Sequence, residues 1–265
     1  MENGLNRSMY SSRAIRVFAP LISTRFVATF AALFGLVAGL TLLVSLGFWQ
    51  LERGAEKAAI RAEYESRTAM PPIRMRAERI DPELFEFYRV EVEGVYRPEY
   101  QVLVDNRIRN GRPGYGVITP LRLSGSDMHV LVDRGWIPWN ADRTVLPDVP
   151  TPEGMQHVSG VLKRPPTDYY TLEKSKPGVA DAVWQNLDLD HYRNVKSIKL
   201  QDLVVLLSPE SGAGGFARNL PEYTDDWVAR HRGYAVQWFG LAGVLLIVFL
   251  VLAMRRDRTR RDERQ

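Results

Sequence analysis

Two long uncharged segments lie on either side of a more polar middle region. The first covers residues 26–51 and the second covers residues 233–254. A helix that crosses the hydrocarbon core of a membrane needs about 20 consecutive apolar residues, so both segments predict transmembrane helices. A buried core helix is the alternative, but such helices rarely run this long without a charge. A cleaved signal peptide is disfavoured, because the first apolar segment is too long and ends in the bulky sequence GFWQLER.

The middle region alternates apolar and polar residues with a period of two, which predicts half-buried strands. The turn-forming pairs Asn-Gly and Pro-Gly fall within the sequence RNGRPGYG, between two of these strands. Helices do not alternate with the strands, so the pattern predicts a mainly antiparallel sandwich or barrel. The six predicted strands are residues 88–96, 99–108, 116–123, 128–138, 156–164 and 201–208.

Helix-forming residues fill two further stretches. Residues 52–68 are rich in Ala, Glu, Lys and Arg and predict a helix that continues the first transmembrane helix. Pro71 and Pro72 would end it, because proline does not fit a helix interior. A short helix is predicted within residues 184–197. The predicted arrangement is a tail at 1–25, a transmembrane helix at 26–51, an exported domain at 52–232 with its β core at about 84–210, a second transmembrane helix at 233–254 and a tail at 255–265.

The basic charge is concentrated in the two tails. Residues 1–25 contain four arginines and one acid, and residues 255–265 contain six arginines and three acids. Short basic segments stay in the cytoplasm, so both termini are predicted to be cytoplasmic and residues 52–232 to be exported. The formal net charge of +4 is then explained by orientation in a lipid bilayer, and no nucleic-acid partner is expected.

The same composition bears on localisation. We expect the bacterial inner membrane, with a periplasmic domain. The mitochondrial inner membrane is the alternative, because residues 1–25 contain Arg and Ser and few acids, as a transit peptide does.

Motifs of conventional catalysis do not occur in the sequence. The chain has no cysteine, which excludes disulfides and thiolate metal sites. Its four histidines lack metal-site spacing, and neither a G-x-S-x-G elbow nor a phosphate-binding loop is found. An enzyme is therefore not expected. The similar sequences VLVDNR and VLVDRG predict Asp–Arg ion pairs at a sheet rim, and an exported enzyme or sensor built on them is a further hypothesis. Its residues would be Asp105, Arg107, Asp133 and Arg134.

Aromatic and amide side chains mark the predicted outer ends of both apolar segments. Trp49 and Gln50 end the first, while Tyr234, Gln237 and Trp238 begin the second. Aromatic residues are common at membrane interfaces. Amides near lipid need partners, so Gln50 and Gln237 are predicted to form an interhelical hydrogen bond.

His231 lies two residues before the second apolar segment, between Arg230 and Arg232. Imidazole is the usual protein ligand for haem iron. A solvated histidine among the lipid headgroups is the alternative, and the local residues leave both open. No other metal site is predicted.

Five blocks of sequence together resemble the surfeit-locus (Surf/Shy) family, whose members are assembly factors for haem–copper cytochrome c oxidase. The blocks occur in order, with an apolar helix on either side. They are LGFWQLERGAEKA (46–58), VEGVYRPEYQVLVDNRIRNGRPGYGVITPL (92–121), VLVDRGWIP (130–138), VSGVLKRP (158–165) and HRGYAVQWFGLA (231–242).

The resemblance implies a chaperone of respiratory-chain biogenesis that assists haem a delivery to the catalytic subunit of the oxidase. That subunit would be a partner, and haem a synthase a further candidate partner. The family's proposed haem-binding position corresponds to His231, where Arg230 and Arg232 could pair with the haem propionates. A membrane scaffold that stabilises an oxidase intermediate without binding haem is the alternative. The aromatic side chains that could cover the porphyrin are Tyr234, Trp238 and Trp49.

Overall fold

Two long helices and a strand-rich domain make up the chain. The computed structural model describes residues 24–143, 145–166, 182–221 and 223–262. The chain divides into two compact units, one of Met1–Arg53 with Arg230–Gln265 and one of Gly54–Ala229. The predicted N-terminal tail therefore lies outside the described residues, apart from its last two positions.

Helices α1 (Thr24–Thr68) and α4 (Asp225–Asp262) form the described part of the first unit and extend into the second. Helix α1 includes both the first apolar segment and residues 52–68. Both helices are long and apolar enough to cross a membrane, judged by length and composition.

Small residues allow the two helices to pack closely within the first unit. A Cβ atom on Gly47 would lie 2.5 Å from the ring of Phe239, and one on Gly39 would lie 2.9 Å from Leu245. Phe48 also meets Phe239 edge-on, with ring centroids 5.4 Å apart. Helices in lipid commonly associate through such small residues, because close backbone approach maximises packing contacts.

The second unit contains eight strands among the described residues. Five of the six predicted strands appear with boundaries shifted by three residues or fewer, and β4 begins four residues before its predicted start. Two-residue strands β1 and β7 were not predicted. The strands are β1 (Ile73–Arg74), β2 (Arg89–Tyr96), β3 (Val102–Arg109), β4 (Arg112–Leu123), β5 (Met128–Pro138), β6 (Met155–Lys163), β7 (Val183–Trp184) and β8 (Lys199–Leu207).

Two short helices and one 3₁₀ turn are also found among the described residues of the second unit. Helix α2 (Pro82–Phe85) precedes β2, and the 3₁₀ turn (Pro98–Tyr100) precedes β3. Helix α3 (Leu189–Lys196) lies within the stretch predicted to hold a short helix. The Asp188 side chain caps it by accepting hydrogen bonds from the backbone N–H groups of Asp190 and His191.

The strands form one mixed sheet in the order β1-β2-β6-β8-β5-β4-β3-β7. An additional pairing of β2 with β4 closes a ring of β2, β6, β8, β5 and β4. The prediction of a mainly antiparallel sheet is wrong, because β1–β2, β3–β7 and β5–β8 are parallel pairs. The long connection from β5 to β8 lets the chain return in the same direction, and residue alternation carries no information about direction.

Buried apolar side chains fill the ring and a layer outside it. Every strand of the ring contributes to one buried cluster, which includes Val92, Leu121, Val132, Leu162 and Val205 and therefore fills the interior. A second buried cluster lies where α3 packs on the outer surface of the strands. The central strands are therefore buried on both faces. The second cluster comprises Val102, Val104, Ile118, Leu131, Trp184, Leu187, Tyr192, Leu200 and Val204.

The hairpin between β3 and β4 turns at Asn110 and Gly111. Their φ angles are +49° and +73°, and Arg109 pairs directly with Arg112 across the turn. Left-handed conformations at both central positions define the two-residue turn that matches strand twist, which explains the Asn-Gly pair. The Pro-Gly pair, by contrast, lies within β4.

Aromatic rings hold the C-terminal part of α1 to the strands within the second unit. The rings of Tyr64, Phe87 and Tyr223 contact one another, with centroids 4.8 to 5.9 Å apart. The ammonium group of Lys163 lies 4.4 Å from the Phe87 ring centroid and donates a hydrogen bond of 3.1 Å to the Tyr223 hydroxyl. This cluster was not predicted, because its members are far apart in the sequence.

Candidate functional site

His231 lies on the face of α4 that packs against α1 in the first unit. Ala235, Phe239 and Ala242 follow it at helical spacing, and both alanines are buried. Phe239 contacts Gly47 of α1. The helical phase of α4 therefore directs the imidazole towards α1.

Gln50 supplies the partner of His231. The His231 Nδ1–H donates a hydrogen bond of 2.7 Å to Gln50 Oε1. Gln50 follows Gly47 by three residues, so both lie on one side of α1. An amide oxygen can only accept, so the proton of this hydrogen bond belongs to Nδ1, and in the tautomer that carries only this ring proton the lone pair is on Nε2.

This arrangement suits a metal-ligating histidine. Such histidines usually donate their other ring N–H to a fixed acceptor, which sets the tautomer and the ring orientation. Gln50 provides that acceptor, and Nε2 of His231 is the atom that could ligate a haem iron. The donor present at this position is of a type that fits the haem group that the family resemblance implies there.

The predicted bond between Gln50 and Gln237 is replaced by the bond to His231. Gln237 is exposed and lies two positions after Ala235, which places it on a different face of α4. Helical phase could have identified the correct pair, because His231 shares the phase of the packed residues and Gln237 does not.

The remaining predicted residues of this region lie near the same ends of the helices. Trp49 is 53% exposed and Tyr234 is 51% exposed, so both present apolar ring surface. Trp238 is half-buried, while Arg230 and Arg232 are exposed. Large exposed aromatic groups beside a histidine offer apolar surface to a planar ligand.

The four polar residues predicted at the sheet rim do not form one site. Asp105 accepts hydrogen bonds of 3.0 Å from Trp139 Nε1 and from Arg143, and it does not pair with Arg107. The backbone carbonyl of Arg107 accepts instead from Trp136 Nε1, at 2.7 Å. Asp105 lies at a β-bulge of β3, where its carboxylate accepts a hydrogen bond from the backbone N–H of Asn106.

Asp133 accepts a hydrogen bond of 3.0 Å from the N–H of Gly135, which has a φ of +112°. The sheet register shifts at this point between Val117 and Ile118, so the carboxylate stabilises a bulge. Burial raises the pKa of Asp133, whereas the Gly135 N–H and the charge of Arg107 oppose that shift.

Arg134 is buried, with 1% of its surface exposed, and does not pair with Asp133. Its guanidinium donates to the carbonyls of Gly214 and Pro150, both at 2.6 Å, and to the Thr151 hydroxyl at 3.0 Å. It also lies 5.2 Å from the ring of Tyr96 and 5.0 Å from that of Phe216. Arg134 thus joins β5 to two loops, which is a structural role.

Within the part of the chain that the structure describes, no group of three or more His, Cys, Asp or Glu side chains is placed to hold a metal ion.

Comparison with known proteins places this site in a family context. Residues 37–243 match the model of the SURF1 family. The chain belongs to the SURF1 family. The match includes Gln50 and His231, the β domain between them and part of each apolar helix.

Relatives of this SURF1-family chain occur in bacteria and eukaryotes. The SURF1-like protein of Rickettsia felis is 26% identical over 216 residues, which cover 80% of this chain and 92% of that protein. Cytochrome oxidase assembly protein SHY1 of Saccharomyces cerevisiae is 28% identical over 155 residues, covering 54% and 38%. Surfeit locus protein 1 of Arabidopsis thaliana is 32% identical over 105 residues, covering 35% and 30%.

Proposed function

We propose that this SURF1-family protein is a membrane-anchored assembly factor for cytochrome oxidase and that it binds haem a at His231. Membership of the family supports the first part, together with the assembly function in the name of the yeast relative. The catalytic subunit of the oxidase would be its partner, with haem a synthase as a further candidate partner.

The surface of the two helices supports membrane anchoring. Only 6% of the most apolar 18-residue stretch of α1 is buried, and only 11% of the corresponding stretch of α4 is buried. The core helix of a soluble protein would bury most of such a stretch, whereas a membrane helix exposes it to lipid. Basic tails would hold both termini in the cytoplasm of a bacterial cell, so the β domain would be periplasmic.

One observation carries the haem part of the proposal, the hydrogen bond from His231 to Gln50. When bound, haem a would supply an iron atom that accepts an imidazole nitrogen. Gln50 keeps the proton of His231 on Nδ1 and orients the ring, so that Nε2 is the ligating atom. The guanidinium groups of Arg230 and Arg232 supply positive charge for propionates, and Trp49 supplies apolar surface.

Haem content of the purified protein tests this assignment. The full chain would be isolated from membranes that synthesise haem a, and its haem would be measured by a pyridine haemochrome spectrum. We expect His231→Ala to lose most of the bound haem and Gln237→Ala, a change on another face of α4, to retain it. Equal haem content in the two variants would contradict the ligand assignment and leave the assembly function intact.

The scaffold alternative is separated by the same preparation. Protein that lacks haem and still co-purifies with the catalytic subunit would favour a scaffold. A deletion strain that assembles oxidase with its full haem a content would refute both functions.

A further inference from the structure

The tip of the β3–β4 hairpin has one apolar face and one cationic face. Ile108 pairs with Pro113 across the strands, and Arg109 pairs with Arg112. Paired residues project to the same side of a hairpin and successive residues to opposite sides. Ile108 is 70% exposed, and Pro113 and Arg112 are exposed as well. Among the described residues of its unit, the tip is therefore a small and largely exposed amphipathic element.

The cationic face is unfavourable by itself. Two like charges directly opposite each other destabilise a strand pair. Arg109 donates a hydrogen bond of 3.0 Å to the side-chain oxygen of Asn219, which is uncharged. Among the described residues neither Arg109 nor Arg112 forms an ion pair, and Arg107 interacts with Asp133. The charges at the tip are thus available to an external anion.

The hairpin lies close to the chain that enters α4. Asn219, which holds Arg109, is followed six residues later by Asp225, the first residue of α4. Six extended residues span at most about 20 Å. Helix α4 is one of the two helices that are long and apolar enough to cross a membrane, and its uncharged segment begins at residue 233. Within the second unit, the tip is therefore bonded to the short connection that leads into the first turn of α4.

Trp136 supports the base of the hairpin. Its indole packs on Gly114, where a Cβ atom would lie 2.5 Å from Trp136 Nε1, and its N–H is bonded to the Arg107 carbonyl. This contact holds the tip in a defined position, so that its two faces are fixed before any partner binds.

We propose that the hairpin tip, residues 107–113, contacts the headgroup layer of an anionic phospholipid bilayer. Ile108 and Pro113 would face the acyl boundary, and Arg109 and Arg112 would bind phosphate oxygens. Adjacent apolar and cationic faces are typical of interfacial elements, because the layer offers anionic headgroups next to hydrocarbon. The inference rests on the proposed membrane insertion of α1 and α4.

Site-directed fluorescence tests this contact. The chain has no cysteine, so Ile108→Cys can carry a single environment-sensitive dye. The full chain would be reconstituted in nanodiscs of phosphatidylcholine, with or without phosphatidylglycerol, containing lipid with a nitroxide at the headgroup. Val195→Cys on α3, a residue 47% exposed, is the matched control label. Val248→Cys, with a nitroxide in the acyl chain, reports whether α4 is inserted.

We expect quenching of the Ile108 dye in anionic discs, little in zwitterionic discs, and none of the Val195 dye in either. Arg109→Gln and Arg112→Gln should each shift the contact equilibrium away from lipid by about fivefold.

Three results would overturn the proposal. The first is no quenching of the Ile108 dye in either type of nanodisc. The second is quenching of equal extent in anionic and zwitterionic nanodiscs. The third is a dye that becomes shielded from solvent only when an oxidase subunit is added, which would indicate that the tip binds an acidic protein face. An unquenched Val248 dye would instead refute the membrane placement and the hairpin contact with it.

Discussion

Replacing Arg134 by methionine should destabilise the β domain substantially. Methionine fills a similar space but provides no donors. The carbonyl oxygens of Gly214 and Pro150 would lose their partners, and the rings of Tyr96 and Phe216 would lose the cation between them. The loss should therefore concern the folded state of the second unit.

The magnitude follows from these contacts. A carbonyl that loses its donor costs about 1–3 kcal/mol. The lower end of this range applies, because the carbonyls of Gly214 and Pro150 that accept from Arg134 are only partly buried. The lost cation–π contacts add about 1 kcal/mol. The sum is about 3 kcal/mol, which for a domain of this size lowers the unfolding midpoint by about 6–12 °C. The unfolding midpoint of Arg134→Lys should lie between those of the unchanged chain and of Arg134→Met, because a lysine ammonium lacks the planar fork of the guanidinium.

Thermal unfolding of the full chain in detergent measures this effect. Intrinsic tryptophan fluorescence reports on the second unit through Trp184, which is buried. Arg122→Met is the control, because Arg122 lies on β4 and is exposed. If the midpoint for Arg134→Met falls no more than about 2 °C below that of the control, the desolvation of the buried charge cancels its bonds and the reasoning fails.

Three further predictions concern the helices and the bulge. Gln50→Leu should weaken haem binding about 10–100-fold in a haem titration, because His231 loses its hydrogen-bond acceptor. The control Gln237→Leu should leave the affinity unchanged, and equal affinities of the two variants would exclude a positioning role of Gln50. Gly47→Leu should lower the thermal midpoint by overpacking the helix contact, at a cost of about 1–3 kcal/mol, whereas Gly35→Leu, which meets open space, should leave it unchanged. Burial raises the pKa of Asp133, so this carboxyl binds its proton more tightly in the folded chain than in the unfolded chain, and its own contribution to stability should fall as the pH rises above about 4. Asp133→Asn should flatten that slope in midpoints measured across the pH range, and an unchanged slope would contradict this.

Residue alternation predicts the strands well, because burial on one side of a strand leaves a period of two. It fails for β1 and β7, which have two residues each and therefore no period. It also fails for the start of β4, where Pro113 and Gly114 resemble a turn yet pair with β3 and β5. Strand direction is decided by long connections, so the parallel pair of β5 and β8 was not predictable from local pattern.

His231 and Gln50 were both singled out from the sequence, but their pairing was not predicted, although helical phase could have indicated it. Composition marks His231 and Gln50 as polar residues at the ends of apolar segments. Their hydrogen bond depends on the relative rotation of two helices, which the alanines and Phe239 on the same face of α4 would have indicated. The burial of Arg134 was not predictable, because its main partners are backbone carbonyls on loops distant in sequence.

The position of β8 in the ring has a consequence for how the chain is made. β8 lies between β5 and β6 and is the last strand in the sequence. Until it is synthesised, two strand edges have no partner, and such edges readily pair with other chains. Helix α4 follows at Asp225, so the domain can close only when the second apolar segment is about to leave the ribosome. Completion of the ring and delivery of the second helix are therefore nearly simultaneous events, and the incomplete domain is most prone to aggregation just before them.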